Sequence, residues 1–230
     1  MHLSLDHDWN LSWDDARRLQ ETLAEQVART DDFGPIRTVA GIDLAYPRTA
    51  TGVITGRAAV VVLAFPGLEI VEEHVMTRPV TFPYIPGLLS FREAPIALAA
   101  LQQVRIQPDV LFVDGHGIAH PRRFGIASHL GILLDLPTIG VAKSILVGHA
   151  VEPGALPGDA TPLMHGDEQI GTALRTRPRS KPIYVSPGHR VSLETAASLA
   201  MQCAQGYRLP EPTRLADRLA GQHGRLAPDA

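Results

Sequence analysis

Three carboxylates lie at positions where a free acid is unexpected. Asp43 lies inside an apolar segment, Asp114 ends a second apolar run, and Glu93 stands just before an apolar stretch with helical spacing. An unpaired carboxylate inside a protein is costly, and a hard divalent cation with oxygen ligands removes that cost. Such a cation, naturally Mg²⁺, activates water and polarises a phosphoryl oxygen. The carboxylates therefore predict a metal-dependent hydrolytic site.

Two of these carboxylates also have a purely structural interpretation. The Asp-Gly pair at 114–115 is a common turn dipeptide, and Glu93 can complete a helix capping box with Ser90. Pro95 argues against the capping box, because proline favours the first turn of a helix and so predicts a helix start after Glu93. Asp43 is harder to explain, since a strand interior disfavours aspartate and offers no turn to cap.

Histidines and a lysine lie close to these acids in the sequence. His116 and His120 are four residues apart, but the glycines and proline around them disfavour the helix that a zinc site with this spacing requires. A loop of small residues instead allows a ligand to approach the backbone, where the histidines can donate to phosphate or position water. Lys143 follows an apolar strand and should emerge near Asp114, where it could neutralise a phosphate; a surface lysine is the alternative.

The elements that must position these residues follow from apolar periodicity. Ser12 opens a helix whose apolar stripe runs to residue 27, and a second helix is predicted near Pro95. Strands are predicted at 39–46, 58–65 and 68–77, and the last two form a hairpin. An apolar strand at 109–114, a helical stripe at 126–134 and a strand at 137–141 predict a parallel βαβ unit. The sheet is therefore predicted to be mixed.

The remainder of the chain carries weaker patterns. Residues 148–166 are rich in glycine and proline and predict loops. Short strands are predicted at 169–175 and 182–186, and helices at 192–205 and 213–220. The length of 230 residues, with 45% hydrophobic and 20% charged residues, predicts a single domain over 1–230.

Composition limits the compartment and the partners. Cys203 is the only cysteine, so neither a disulfide nor a cysteine-rich zinc site is available, as is typical of a reducing cytoplasm. The acidic N-terminus and the absence of a long apolar run predict a cytoplasmic protein that does not enter a membrane. The net charge of −3 disfavours a protein that coats nucleic acid. Local basic spots, also interpretable as solvated loop charge, are Arg122, Arg123, Arg175, Arg177, Arg179, Lys181 and Arg190.

Several long motifs, in a fixed order, resemble the endonuclease V family of deoxyinosine-directed repair nucleases. They are Val39-Ala40-Gly41-Ile42-Asp43, the segment 83–93 that begins Pro83-Tyr84-Ile85-Pro86-Gly87, Asp114-Gly115-His116-Gly117 with His120-Pro121-Arg122-Arg123, Gly140-Val141-Ala142-Lys143, Ser186-Pro187-Gly188-His189-Arg190, and the segment 207–214. The resemblance covers residues 13–219, and motifs of this length are highly specific.

The resemblance implies a ribonuclease H-like α/β fold, in which a mixed five-stranded sheet is flanked by helices. It implies that Asp43 and Asp114 bind Mg²⁺ or Mn²⁺, with Glu93 completing the acidic centre. Lys143 and His116 would support the scissile phosphate. The role of Asp217 is less defined, because the family carries either Asp or His there as an accessory group; the alternative is a pair with Arg214.

The resemblance also implies a base-recognition site. Tyr84 would fill the gap left by a displaced base, held in a segment that includes Pro83, Ile85 and Pro86. Residues that would line the pocket or contact the substrate are Gly87, Leu89, Gly115 and His120. The implied partner is DNA with deoxyinosine, or alternatively inosine-containing RNA, acted on by a monomer. The same residues are also compatible with a different ribonuclease H-like nuclease, or with a module that binds lesions without cutting.

Overall fold

The computed structural model describes residues 1–47 and 53–222, and within them one nine-stranded sheet lies between two layers of helices. The strands are β1 (Thr38–Ala45), β2 (Thr55–Ala64), β3 (Ile70–Pro79), β4 (Val110–Asp114), β5 (Thr138–Ala142), β6 (His149–Ala150), β7 (Ala160–His165), β8 (Glu168–Leu174) and β9 (Ile183–His189). The helices are α1 (Trp13–Ala24), α2 (Leu89–Leu101), α3 (Ile126–Leu134), α4 (Leu193–Gln202) and α5 (Glu211–Gly221).

The strand order is β3-β2-β1-β4-β5-β9-β8-β7-β6. Strands β3, β2 and β1 are antiparallel, whereas β1, β4 and β5 are parallel. The predicted α/β class with a mixed sheet is therefore confirmed. The predicted number of five strands is wrong for the described chain, because β9, β8, β7 and β6 extend the sheet beyond β5.

Part of this extension comes from the segment 148–166, which the sequence predicts to be loop-rich. It contributes β6 and β7, and β7 pairs with β8 over its whole length. Glycines and prolines in the segment lower its local strand propensity and so conceal these strands, because strand pairing depends on the neighbouring strand as much as on the residue itself.

Alternation along the central strands divides their side chains between the two helical layers. Ala40, Ile42 and Leu111 pack with α2 and α3 in one core, which also contacts apolar residues near the N-terminus. Val39 and Phe112 belong to the second core, with α4 and α5. Because side chains alternate along a strand, Asp43 and Asp114 lie on the same face of the sheet as α5.

Helix α1 begins as the sequence predicts, whereas α2 does not. Ser12 caps α1 by accepting a hydrogen bond from the Asp15 N–H at 3.2 Å. Helix α2 begins at Leu89, so Glu93 and Pro95 lie inside it rather than at its start. An interior proline removes a hydrogen bond from the helix. Nine buried residues of α2 outweigh that loss, since tertiary packing overrides local preference.

The two outer strands of the sheet, β3 and β6, differ in length and charge. The edge strand β3 is mostly exposed and carries Glu72, Glu73 and Arg78. The Glu72 carboxylate accepts hydrogen bonds from the backbone N–H groups of Arg105 and Ile106. The opposite edge, β6, has two residues. Within the described chain, no helix combines the length and apolar character needed to cross a membrane.

Candidate active site

Two aspartates meet at the carboxyl ends of neighbouring parallel strands. In the β1–β4 pairing Ile42 is opposite Val113, so the next residues along the two strands are Asp43 and Asp114. Both are half-buried on the face that α5 covers. The acid inside β1 and the acid at the end of β4 therefore lie together at the carboxyl ends of these parallel strands.

A third aspartate reaches this edge from α5. Helix α5 can approach β1 because Gly41 has no side chain: a Cβ there would lie 1.9 Å from the carbonyl oxygen of Pro212. Among the described residues, Asp43, Asp114 and Asp217 form a group whose carboxylate oxygens lie within 4.8 Å of one another. The alternative pair between Asp217 and Arg214 is not formed, since Arg214 binds Glu211 with contacts of 2.8 and 2.6 Å.

Lys143 joins this group from the end of β5. Its Nζ lies 2.6 Å from Asp114 Oδ2 and 2.9 Å from Asp217 Oδ1. Burial opposes the charged form of Lys143, but the hydrogen bonds and charges of the two aspartates outweigh it and raise the pKa of the ammonium above its usual range. Lys143 is therefore a permanent cation, and it lies at the same edge as Asp114, as the parallel strands predict.

The electrostatics of the group favour a bound cation. Burial, followed by the charge of Asp114, raises the pKa of Asp43 to about 7. Asp114 Oδ2 is buried and lacks a hydrogen bond of normal geometry, its contact being the ion pair with Lys143. Carboxylate oxygens crowded in this way are ligands for a hard divalent cation such as Mg²⁺, which would stabilise their ionised forms. The residues present therefore fit a divalent metal.

Glu93 lies near this group but outside it. Its Oε1 accepts a hydrogen bond from the Tyr46 hydroxyl at 2.9 Å. Burial raises the pKa of Glu93 to about 7, the Tyr46 hydrogen bond opposes the shift, and the charge of Asp114 adds to it. The alternative capping box with Ser90 is absent from the described structure, since Ser90 lies inside α2 and its hydroxyl has no hydrogen-bond partner there.

A cavity of about 220 Å³ is lined by Gly115, the residue after Asp114. Residues of the segment before α2 form one wall, and the loop after β4 and the start of α3 form the other. Of the site residues predicted from the sequence, those that line the cavity are Tyr84, Ile85, Pro86, Gly87, Leu89, Gly115, His116 and His120. Pro83 is not among the lining residues. The backbone of 114–116 thus joins the carboxylate group to the cavity.

The two histidines of the cavity are neutral at physiological pH. Burial lowers the pKa of His116 to about 4, and burial together with the charge of Arg122 lowers the pKa of His120 to about 3. His120 Nδ1 accepts a hydrogen bond from the Arg122 N–H at 3.2 Å, which leaves the proton on Nε2. The His120 ring also bonds the Gly87 backbone, so both of its nitrogens are engaged, whereas His116 Nδ1 is buried without a hydrogen-bond partner in the described structure and can bond a ligand without adding charge.

Gln20 lines the same cavity and is not among the residues predicted from the sequence. It is fully buried on α1, where its Nε2 donates to the Phe124 carbonyl at 2.7 Å and its Oε1 accepts from Arg122 Nε at 2.5 Å. Arg122 also donates to the Gly87 carbonyl at 2.6 Å. A glutamine four residues after the buried Ala16, on the apolar face of α1, is the signal in the sequence.

Comparison with known proteins identifies the family. The sequence profile described as Endonuclease V matches residues 21–218. The endonuclease V of Roseiflexus castenholzii is 55% identical over 226 residues, which cover 98% of this chain and 99% of the relative. The crystal structure of the endonuclease V from Streptomyces avermitilis superposes with a TM-score of 0.87 at 42% identity, covering 96% of each chain.

A further similar structure contains a nucleic acid. It is the Ciona intestinalis endonuclease V in complex with a 24mer DNA containing an inosine followed by a ribo-adenosine. It matches with a TM-score of 0.78 at 29% identity, covering 90% of this chain and 95% of that one. The profile match and the 55% identical relative each span most of the present sequence. The chain therefore belongs to the endonuclease V family of nucleases.

Proposed function

We propose that this protein recognises deoxyinosine, the product of adenine deamination, and hydrolyses the second phosphodiester bond on its 3′ side in the presence of Mg²⁺, with Mn²⁺ as a substitute. The observation that carries the proposal is the cavity lined by Gly115 and His116, the two residues that follow Asp114 of the carboxylate group. A nuclease that inspects a base must take it out of the stack, and so needs a pocket next to its hydrolytic centre.

The chemistry of the cavity suits hypoxanthine. Ile126 lines it at the start of α3, where the helix dipole and an N–H group of the first turn favour a hydrogen-bond acceptor; the Gly125 and Ala127 N–H groups already donate to the carbonyls of Gly117 and His116. Hypoxanthine presents the acceptor O6 there, whereas adenine presents an amino donor. Guanine adds a 2-amino group that a tight pocket excludes. Weak pairing of the damaged base lowers the cost of extracting it.

The acidic, basic and histidine side chains of the site would have different roles in cleavage. Asp43 and Asp114 would hold the metal, with Glu93 or Asp217 completing the acidic centre. Mg²⁺ supplies Lewis acidity that activates water and stabilises the leaving oxygen. Lys143, being a permanent cation, would neutralise a phosphate oxygen. The neutral His116 would position the phosphate by a hydrogen bond, and the neutral His120 would form part of the wall against the base, both without repelling the metal.

The chain is further proposed to act as a monomeric, cytoplasmic, single-domain enzyme. One sheet contains strands from residue 38 to residue 189, and helices from α1 to α5 pack beside it. Cys203 is buried, and burial raises the pKa of its thiol to about 12. An unreactive thiol suits a reducing compartment.

The products of cleavage test the proposed reaction. Incubation with an end-labelled duplex that carries one deoxyinosine should give a nick at the second phosphodiester on the 3′ side, with a 3′-hydroxyl and a 5′-phosphate, because water attacks in line and expels the 3′ oxygen. DNA ligase alone should seal this nick. Release of free hypoxanthine, an abasic site, or a nick that ligase cannot seal would exclude this chemistry.

Tyr84 tests the extraction of the base. Its side chain is 69% exposed at the mouth of the cavity, between two prolines that stiffen its segment. Tyr84→Ala should weaken binding to an inosine duplex about tenfold, since stacking on an aromatic ring contributes about 1–3 kcal/mol per base, and should spare single-stranded substrate. Fluorescence anisotropy without metal measures both constants. Trp13→Ala, which removes an exposed aromatic from α1, is the control; equal losses on duplex and single strand would contradict the role.

A further inference from the structure

Among the described residues, some of the arginines and lysines form ion pairs with carboxylates and others do not. Arg175 binds Glu152 at 2.6 Å, Arg123 binds Glu168 at 2.7 Å, and Arg190 binds Asp32 and Asp135 at 3.2 Å each. These three arginines therefore fix loops of the protein. They are not available as a binding surface for an anionic partner.

The turn between β8 and β9 carries three cations without such partners. Arg177, Arg179 and Lys181 are exposed, and within residues 1–47 and 53–222 none of them forms an ion pair with a carboxylate. We name residues 177–181 the basic turn. Three neighbouring unpaired cations on a chain with a net charge of −3 concentrate positive charge locally, and such clusters attract phosphates.

The basic turn is held in shape from within. The Ser180 hydroxyl donates to the Arg177 carbonyl at 2.9 Å, and the buried Arg175 guanidinium donates to the Ser180 carbonyl. Arg179 has a φ of 59°, which places it in the left-handed region and closes the turn. The three charges are thus presented by a preorganised backbone, so a ligand would not have to order the loop.

The turn is also attached to the hydrolytic edge. The Arg208 side chain donates to the Lys181 carbonyl at 3.1 Å and to the Lys143 carbonyl at 2.7 Å. Thr176 directly precedes the basic turn, and its hydroxyl donates to the Arg208 carbonyl at 2.6 Å. The start of β9 lies beside the end of β5, where Ala142 pairs with Tyr184. The basic turn therefore has a fixed position next to Lys143.

The cavity and the basic turn are held by helices of the two opposite layers. The cavity is formed by segments next to α2 and α3, whereas Arg208, which holds the turn, belongs to the connection between α4 and α5. A nucleic-acid strand with one base in the cavity and a nearby phosphate at the carboxylates would continue toward the turn.

We propose that Arg177, Arg179 and Lys181 bind the backbone phosphates of the cleaved strand on the 3′ side of the cut. The proposal rests on the proposed function, because the direction of the strand follows from a cut placed 3′ to the flipped base. The contacts are with phosphates alone, so they hold the strand in register without selecting its sequence.

The test removes two charges and keeps the backbone of the turn. Arg177→Gln/Lys181→Gln leaves Arg179, whose positive φ makes substitution there a change of conformation as well. In binding assays without metal, the variant should bind a long inosine duplex about tenfold more weakly. Its slope of log affinity against log salt should be smaller by about 1.8, the value for two lost phosphate contacts. The control Arg37→Gln/Arg105→Gln removes two exposed charges that precede β1 and β4, at the opposite ends of these strands from Asp43 and Asp114. It should change neither quantity.

DNA substrates in which one strand is shortened show which part of the DNA contacts the basic turn. Shortening the cleaved strand so that it ends just past the cut should weaken binding of the wild type more than binding of the Arg177→Gln/Lys181→Gln variant, which keeps only Arg179. An equal response of both proteins, or a response only to shortening the 5′ arm or the uncleaved strand, would overturn the assignment. If the wild type bound inosine and undamaged duplexes equally, the proposed function would fail. The change in salt slope would still report whether the turn binds phosphate.

Discussion

Replacing Asp43 or Asp114 with asparagine is expected to lower the rate of cleavage of inosine-containing DNA by about a thousandfold or more. Both carboxylates lie in the group that fits a divalent cation, and an amide is a much weaker ligand. Cleavage measured in single turnover at saturating protein separates this loss from a change in affinity. Binding to the same DNA without metal should be largely retained, since the base and phosphate contacts lie elsewhere.

The fold is expected to tolerate the Asp43 change. Burial and the charge of Asp114 already disfavour the ionised form of Asp43, so a neutral amide relieves repulsion. Thermal unfolding should show that Mg²⁺ stabilises the wild type and that the variant has lost this response. The exposed Asp167, in the turn between β7 and β8, provides the matched control Asp167→Asn. Normal turnover by either active-site variant would refute the metal assignment.

Gly41→Ala is expected to damage both stability and activity, although Gly41 itself carries no chemistry. The added Cβ would lie 1.9 Å from the Pro212 carbonyl oxygen and 2.1 Å from its carbon, so α5 must move away from β1. Forced overpacking of this kind costs about 1–3 kcal/mol. For a protein of this size, the melting temperature should fall by about 2–12 °C. Cleavage should decrease as well, because Asp217 moves with α5.

Two other variants separate these effects. Gly34→Ala adds the same methyl group where no atom lies within 4 Å, and should change neither melting temperature nor rate. Asp217→Asn removes the carboxylate without moving the helix. If Gly41→Ala lowered activity no more than Gly34→Ala does, the close approach of α5 would not matter for the site.

The strand-end residues can be predicted from the sequence because local rules determine them. The carboxyl ends of parallel strands meet at one edge, and this rule alone places Asp114 and Lys143 together. Asp43 is conspicuous as an acid inside a strand. In each case the residue can be placed from the sequence of its own strand, without knowledge of the packing between distant segments.

Asp217 and the start of α2 cannot be predicted in this way. The position of Asp217 depends on how closely α5 approaches β1, which is determined by Gly41, more than 170 residues earlier in the chain. Its local sequence offers Arg214 as a partner, but Arg214 binds Glu211. Likewise, Pro95 predicts a helix start locally, whereas burial of α2 against the sheet places the start six residues earlier.

The edges of the nine-stranded sheet bear on how the protein behaves in concentrated solution. An exposed edge strand can recruit a strand of another molecule and so begin an intermolecular sheet. A strand added beside β3 would approach the exposed charges of Glu73 and Arg78, and β6 offers only two residues for pairing. Replacing these two charges with apolar residues would therefore favour aggregation through β3 without changing the carboxylate group.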